Sequence, residues 1–164
     1  MNVALIGLNH GYQFRGCQEA RWDAFEAYLL SYARTEGVDL IAEELSEEAL
    51  RKWKATGSVA RHVAGCLGIR HQFCDPDSSQ REAIGIQSFG AIAAALGPNP
   101  DLAAVEAKER ESWPIRRRFW LERLREIPFT RSVFILGSKH VEAFEDLIRS
   151  QGWGACVVHR NWEP

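Results

Sequence analysis

The chain has 164 residues, 46% hydrophobic and 26% charged, the balance of a single globular domain able to bury a core. Its net charge of −2 supplies no global field toward nucleic acid or an anionic membrane surface. No apolar run approaches the roughly 20 residues of a membrane span, and Met1-Asn-Val-Ala-Leu-Ile-Gly lacks the basic start of a secretory signal.

Residues 2–8 read as a buried strand that runs into Gly7-Leu-Asn-His10. Residues 9–17 form a polar loop with two glycines. Over 18–35 the apolar residues Trp22, Phe25, Leu29, Tyr32 and Ala33 recur at helical spacing, and Gly37 ends that helix. A second strand, 38–43, ends in Glu43-Glu44. Ser46 caps the next helix, with Glu47 and Glu48 at the positive end of its dipole. Gly57-Ser58 breaks the pattern and caps a short helix over 59–66, closed by Gly68. Strand three, 69–74, is more polar, as at a sheet edge, and leads into Asp75-Pro-Asp77.

The spacing predicts a helix over 78–96, weakened by Gly85 and Gly90, which each cost up to about 1 kcal/mol relative to alanine. Gly97-Pro-Asn-Pro100 is the clearest loop, and 97–113 reads as a partial lid. A long charged helix over 102–126 is interrupted before Pro114. Within it, Trp113-Pro-Ile-Arg116-Arg-Arg-Phe-Trp120 interleaves basic and aromatic residues. The reading is a helix with Ile115, Phe119 and Trp120 buried and its arginines solvated, not a nucleic-acid surface; an anionic substrate reaching Arg116 or Arg117 is the other use of the patch. Strand four, 132–136, runs into Gly137-Ser-Lys-His140. A helix over 139–151 and a last strand, 155–158, complete the chain.

Alternating strands and helices imply an α/β fold: a mainly parallel sheet of about five strands, helices on both faces, one domain over 1–164. In such sheets the ligand site lies beyond the carboxyl ends of the strands. His10, Glu43, Glu44, Asp75, His140 and His159 all fall at or just after a strand end. Gly-x-x-His occurs twice, each time directly after a buried strand. Glu43 and Glu44 are adjacent on extended backbone and point to opposite sides, so one of them faces the site. His62 and His71 read as structural. The four cysteines, Cys17, Cys66, Cys74 and Cys156, have no CxxC spacing and read as reduced thiols of a cytoplasmic protein.

These features resemble the TIKI/TraB superfamily, which includes the TIKI proteases, the TraB/PrgY proteins, the erythromycin esterases and the haem-binding ChaN proteins. Gly7 and His10 match the first Gly-x-x-His, Gly137 and His140 the second, Glu43 or Glu44 the strand-end glutamate, and Arg81 the arginine. The chain is smaller than typical members and looks like the minimal core. The resemblance implies a small hydrolase cleaving an ester, amide or phosphoester bond in a small-molecule or peptide substrate. In its metal-assisted form His10, His140 and Glu43 hold Mn²⁺, Co²⁺, Zn²⁺ or Fe²⁺, which activates a water, while the other carboxylate acts as base and Arg81 steadies negative charge. In its metal-free form one histidine is the base, oriented by Glu43 or Glu44. A metal- or haem-binding protein without turnover is the alternative. Tyr12, Arg15, Asp75 and Lys139 are the candidate substrate contacts.

Overall fold

A computed structural model describes residues 1–16 and 21–164. Its centre is a parallel five-stranded sheet of β1 (Asn2–Leu8), β3 (Leu40–Glu43), β5 (Arg70–Phe73), β6 (Arg131–Gly137) and β7 (Gly154–Trp162), in the order β5-β3-β6-β1-β7. Two short strands, β2 (Phe14–Arg15) and β4 (Gly57–Ser58), pair antiparallel beside it.

Side chains that alternate along each strand divide the interior into two cores. Ala4, Ile6, Leu8, Ile41, Val133 and Ile135 meet α1 (Trp22–Thr35) and α3 (Val59–Leu67) on one face. Val3, Leu5, Leu40, Ala42, Phe134 and Leu136 meet α7 (Trp113–Arg125) and α8 (Val141–Ser150) on the other. The chain moves toward β5 through α1 and α3 and returns through α7 and α8. One crossover hand demands that opposite directions use opposite faces.

Local signals act as the sequence indicates. Ser46 caps α2 (Glu47–Lys52) by accepting from the Ala49 amide, and Ser58 caps α3 through the Arg61 amide. Gly37 and Gly68 take left-handed backbone where their helices stop. The helix expected over 78–96 is two helices, α4 (Ser78–Ala83) and α5 (Phe89–Leu96). Gly85, at φ +77°, breaks it, since that backbone cannot continue a right-handed turn. The interruption before Pro114 falls between α6 (Leu102–Arg110) and α7, whose first turn tolerates proline because its amides need no partner there. The loop after β1 winds into a 3₁₀ turn, His10–Gln13; Cys17 and the expected start of the following helix lie outside the described residues. The last strand is longer than expected, so His159 lies within β7 and bonds the Tyr28 hydroxyl at 2.9 Å, away from the rim. No helix among the described residues is long and apolar enough to cross a membrane.

Candidate functional site

Register brings the strand ends level. Leu8 pairs with Gly137, and Glu43 pairs with Ile135. The segments that follow these strands therefore leave the sheet side by side. His10 lies over Gly137, where a β-carbon would sit 2.7 Å from His10 Nε2. The second glycine of the motif pair thus makes room for the first histidine. Gly7 has the converse role: a side chain there would run into the Arg160 carbonyl and Val141, the residue after His140.

Glu44 joins the two histidines. Its Oε1 lies 3.6 Å from His10 Nε2 and 3.7 Å from His140 Nε2, and its Oε2 accepts from the Gly137 amide at 2.8 Å. The carboxylate preferred from sequence, Glu43, points to the other face of the sheet. Alternation along an extended strand forces that separation. Glu43 is fully buried among Gln13, Ser58 and His71, so it does not bridge His10 and His140.

The arginine beside this carboxylate is Arg116, from the helix expected to carry it in solvent. Its Nη2 lies 3.0 Å from Glu44 Oε1. Its Nε and Nη2 bond both oxygens of Asp75, at 2.6 and 2.8 Å, and its guanidinium covers the Trp120 ring at 5.4 Å. Burial opposes the charge on Arg116, but Glu44 and Asp75 outweigh it and raise its pKa further. Arg81 reaches the same cluster through Asp75 Oδ2 at 2.6 Å. Asp75 also accepts from Trp120 Nε1 at 3.0 Å. Burial works to raise the Asp75 pKa, and Arg116, Arg81 and Trp120 reverse it and hold the carboxyl ionised. Asp75 therefore positions two arginines, and its oxygens are committed to them. Ile115, expected inside, is exposed, and Arg116 takes the inward direction instead.

The two histidines differ in surroundings. His10 lines a cleft of about 1360 Å³, and its side chain is 44% exposed. His140 is buried edge-on to Trp113 and Trp120 at centroid distances of 4.3 and 5.2 Å. Burial pushes the His140 pKa down to about 4; Glu44 opposes this, while Arg116, Arg117 and His10 add to it. Its Nδ1 faces Arg117 Nη1 at 3.4 Å. Guanidinium only donates, so the neutral ring carries its proton on Nε2.

The cleft is walled by α2, α4 and α5 and by Phe14, Trp53, Ile86 and Phe89. Tyr12 lines it and packs edge-on against Trp162. The segment expected as a lid contributes Glu109; the wall comes instead from 76–91. Two candidate contacts lie elsewhere. Arg15 pairs with Glu26 at 2.8 Å and covers Trp22, while Lys139 is exposed outside the cleft lining. His62 lies against Glu26 and Cys66 on the far side of α3.

A divalent ion does not fit this donor set. Arg116 already faces the Glu44 oxygen nearest both histidines, so a doubly charged ion there would meet a fixed guanidinium with one carboxylate between them, twice the repulsion a singly charged group meets. His140 presents a protonated Nε2 toward that oxygen. Among the described residues no group of three or more His, Cys, Asp or Glu side chains is arranged to hold a metal. Neither a family model, nor a curated protein, nor a solved structure matches the chain.

Proposed function

We propose that the protein is a metal-independent hydrolase of carboxylic esters or amides in which His10 is the general base. One observation carries the reading: a half-exposed imidazole stands against a buried carboxylate at the mouth of a large, partly apolar cleft. His10 Nε2 takes a proton from water as that water attacks the substrate carbonyl. The imidazolium so formed is compensated by Glu44 Oε1, which makes no aligned hydrogen bond among the described residues and retains acceptor capacity. Arg116 faces the developing oxyanion from the cleft wall. When the tetrahedral intermediate collapses, His10 returns the proton to the leaving oxygen or nitrogen.

Substrate class follows from charge. Arg81 and Arg116 are already balanced by Asp75 and Glu44, and Glu48, Glu82 and Glu109 also line the cleft. Lys52 adds one more cation, but among the described lining residues Glu44, Glu48, Asp75, Glu82 and Glu109 outnumber Lys52, Arg81 and Arg116, a balance that does not draw a phosphomonoester dianion. Phe14, Trp53, Ile86 and Phe89 suit an apolar acyl or aryl group instead.

A panel of p-nitrophenyl acyl esters, anilides and phosphates tests the reading, with and without exhaustive chelation. Expected are turnover of apolar esters or anilides unchanged by chelation and loss of it in His10→Ala. Turnover that disappears on chelation and returns with Mn²⁺ or Zn²⁺ overturns the metal-free mechanism. A Soret band on adding haem, with no turnover of any substrate, overturns the enzyme in favour of a binding protein.

A further inference from the structure

The geometry points to Gln13 and Glu43 as positioning residues that set which nitrogen of His10 carries the proton, an inference that deepens the hydrolase reading above and rests on it for its catalytic meaning. Glu43 has no solvent exposure. Its Oε1 meets the Ser58 hydroxyl and lies 2.7 Å from His71 Nε2; its Oε2 accepts from Gln13 Nε2 at 3.1 Å. The Gln13 amide, also fully buried, places Oε1 2.7 Å from His10 Nδ1.

Each polarity in this chain follows from the one before. Ser58 and Gln13 donate to the two oxygens of Glu43, and His71 Nε2 lies against the first of them. Gln13 must turn its NH₂ group toward Glu43, and its carbonyl oxygen then faces His10. A carbonyl also only accepts, so His10 Nδ1 carries the hydrogen and Nε2 keeps a bare lone pair. That lone pair is on the nitrogen beside Glu44 and Gly137. Free imidazole side chains favour the opposite tautomer, in which the outer nitrogen is protonated and cannot act as a base. The segment also fixes the ring sterically. His10 and Gln13 share one 3₁₀ turn, whose three-residue period places them on the same side. Asn9 caps that turn through the Gly11 amide.

This arrangement divides labour between two consecutive glutamates. Glu44 faces the nitrogen that reacts. Glu43, on the other face of the sheet, reaches the nitrogen that does not, through Gln13. Ser58 serves twice, donating to Glu43 while accepting from the Arg61 amide as the cap of α3, so the relay is anchored to a helix start. His71, from edge strand β5, closes the far end and packs edge-on against Phe73.

Nitrogen-15 NMR of histidine-labelled protein tests the inference without any substrate. His10 is assigned by the signals lost in His10→Ala. In the unaltered protein at neutral pH, His10 is expected to show a protonated Nδ1 and an unprotonated Nε2. Gln13→Met keeps side-chain length but removes both bonds, and is expected to shift His10 toward the Nε2–H tautomer. It should also lower kcat at least tenfold, part of the roughly 10²–10⁴-fold that a positioned base contributes, with KM little changed. Gln13→Glu combined with Glu43→Gln exchanges the donor and acceptor between the two buried positions, still offers an oxygen to Nδ1–H, and is expected to keep the tautomer and most of the turnover. A neutral His10 protonated on Nε2 in the unaltered protein overturns the inference even if Gln13→Met fails to fold. So does a Gln13→Met protein whose His10 signals are unchanged. A His10 with Nδ1–H in a protein that turns over no ester or amide supports the relay and sinks the hydrolase reading instead.

Discussion

The two Gly-x-x-His segments begin alike and end in different environments. Each follows a seven-residue strand that is buried beyond its first residue, and enters a 3₁₀ turn. His10 then stands at the edge of a cleft with its inner nitrogen held by an amide. His140 is closed in by Trp113, Trp120 and Arg117. The motif supplies a strand end and a turn, and the surroundings decide what its histidine can do. An open ring can exchange protons with a substrate; an enclosed one is kept neutral and acts through its shape.

The largest expected break in this comparison is at His10. His10→Ala should reduce turnover by about 10²–10⁴-fold, the contribution of a positioned base, and leave the melting temperature within a few degrees because the ring is half exposed. Steady-state kinetics alongside a thermal melt checks it. Unchanged kcat would move the chemistry elsewhere in the cleft.

Arg116→Ala should come next, acting on stability. It strips the fully buried Glu44 of its guanidinium partner and takes one of two from Asp75. Leaving such a charge unpaired costs about 3–5 kcal/mol, a fall in melting temperature on the order of 10 °C for a chain this size. Arg81→Ala, removing a half-buried partner that pairs with Asp75 but not Glu44 and otherwise donates to the Pro76 carbonyl, should cost clearly less. Equal melting temperatures for the two variants would contradict the central place given to Arg116.

At His140 the comparison becomes a pH effect. The folded pKa is about 4 against an ordinary 6.5, so the unfolded chain takes up this proton more readily. Acid therefore favours unfolding. The loss begins as pH falls below about 6.5 and is complete below about 4, reaching on the order of 3 kcal/mol. His140→Phe keeps an aromatic ring between the tryptophans but cannot be protonated. Denaturant unfolding at pH 7 and pH 4.5 should show a smaller acid loss in this variant than in the unaltered protein; equal losses would show that His140 protonates freely when folded.

The two glycines give the smallest effects and the finest contrast. Gly7→Ala pushes a methyl group against backbone at Arg160, which cannot step aside, and should cost about 1–3 kcal/mol. Gly137→Ala meets the end of the His10 ring, which can turn outward. It should cost less stability but lower activity by displacing the base. A reversed order, with Gly137→Ala the less stable and the more active, would refute the roles given to the two motif copies.

Much of this architecture was legible in the chain itself. Buried-type strands, helical periodicity and the caps at Ser46 and Ser58 are local signals that depend on a few neighbouring residues, and they placed the elements in order. The alternation of strand and helix implied the parallel sheet, and the strand-end positions of His10 and His140 implied their meeting, though with Glu43 as the expected carboxylate. What local pattern could not decide was which long-range partner each polar group would find. Glu43 and Glu44 are the same residue on consecutive positions, and only the register of β3 against β6 turned Glu44 toward the histidines. Arg116 looked like one charge in a basic run until the packing of α7 set it against Asp75, 41 residues earlier. Gln13 carried no signal beyond its three-residue spacing from His10. Its role exists because Glu43 arrives from another strand to fix its amide. Sequence determines which backbone forms where; the pairing of buried polar groups is settled by which strands lie side by side, because a hydrogen bond requires partners within about 3 Å, however far apart they lie along the chain.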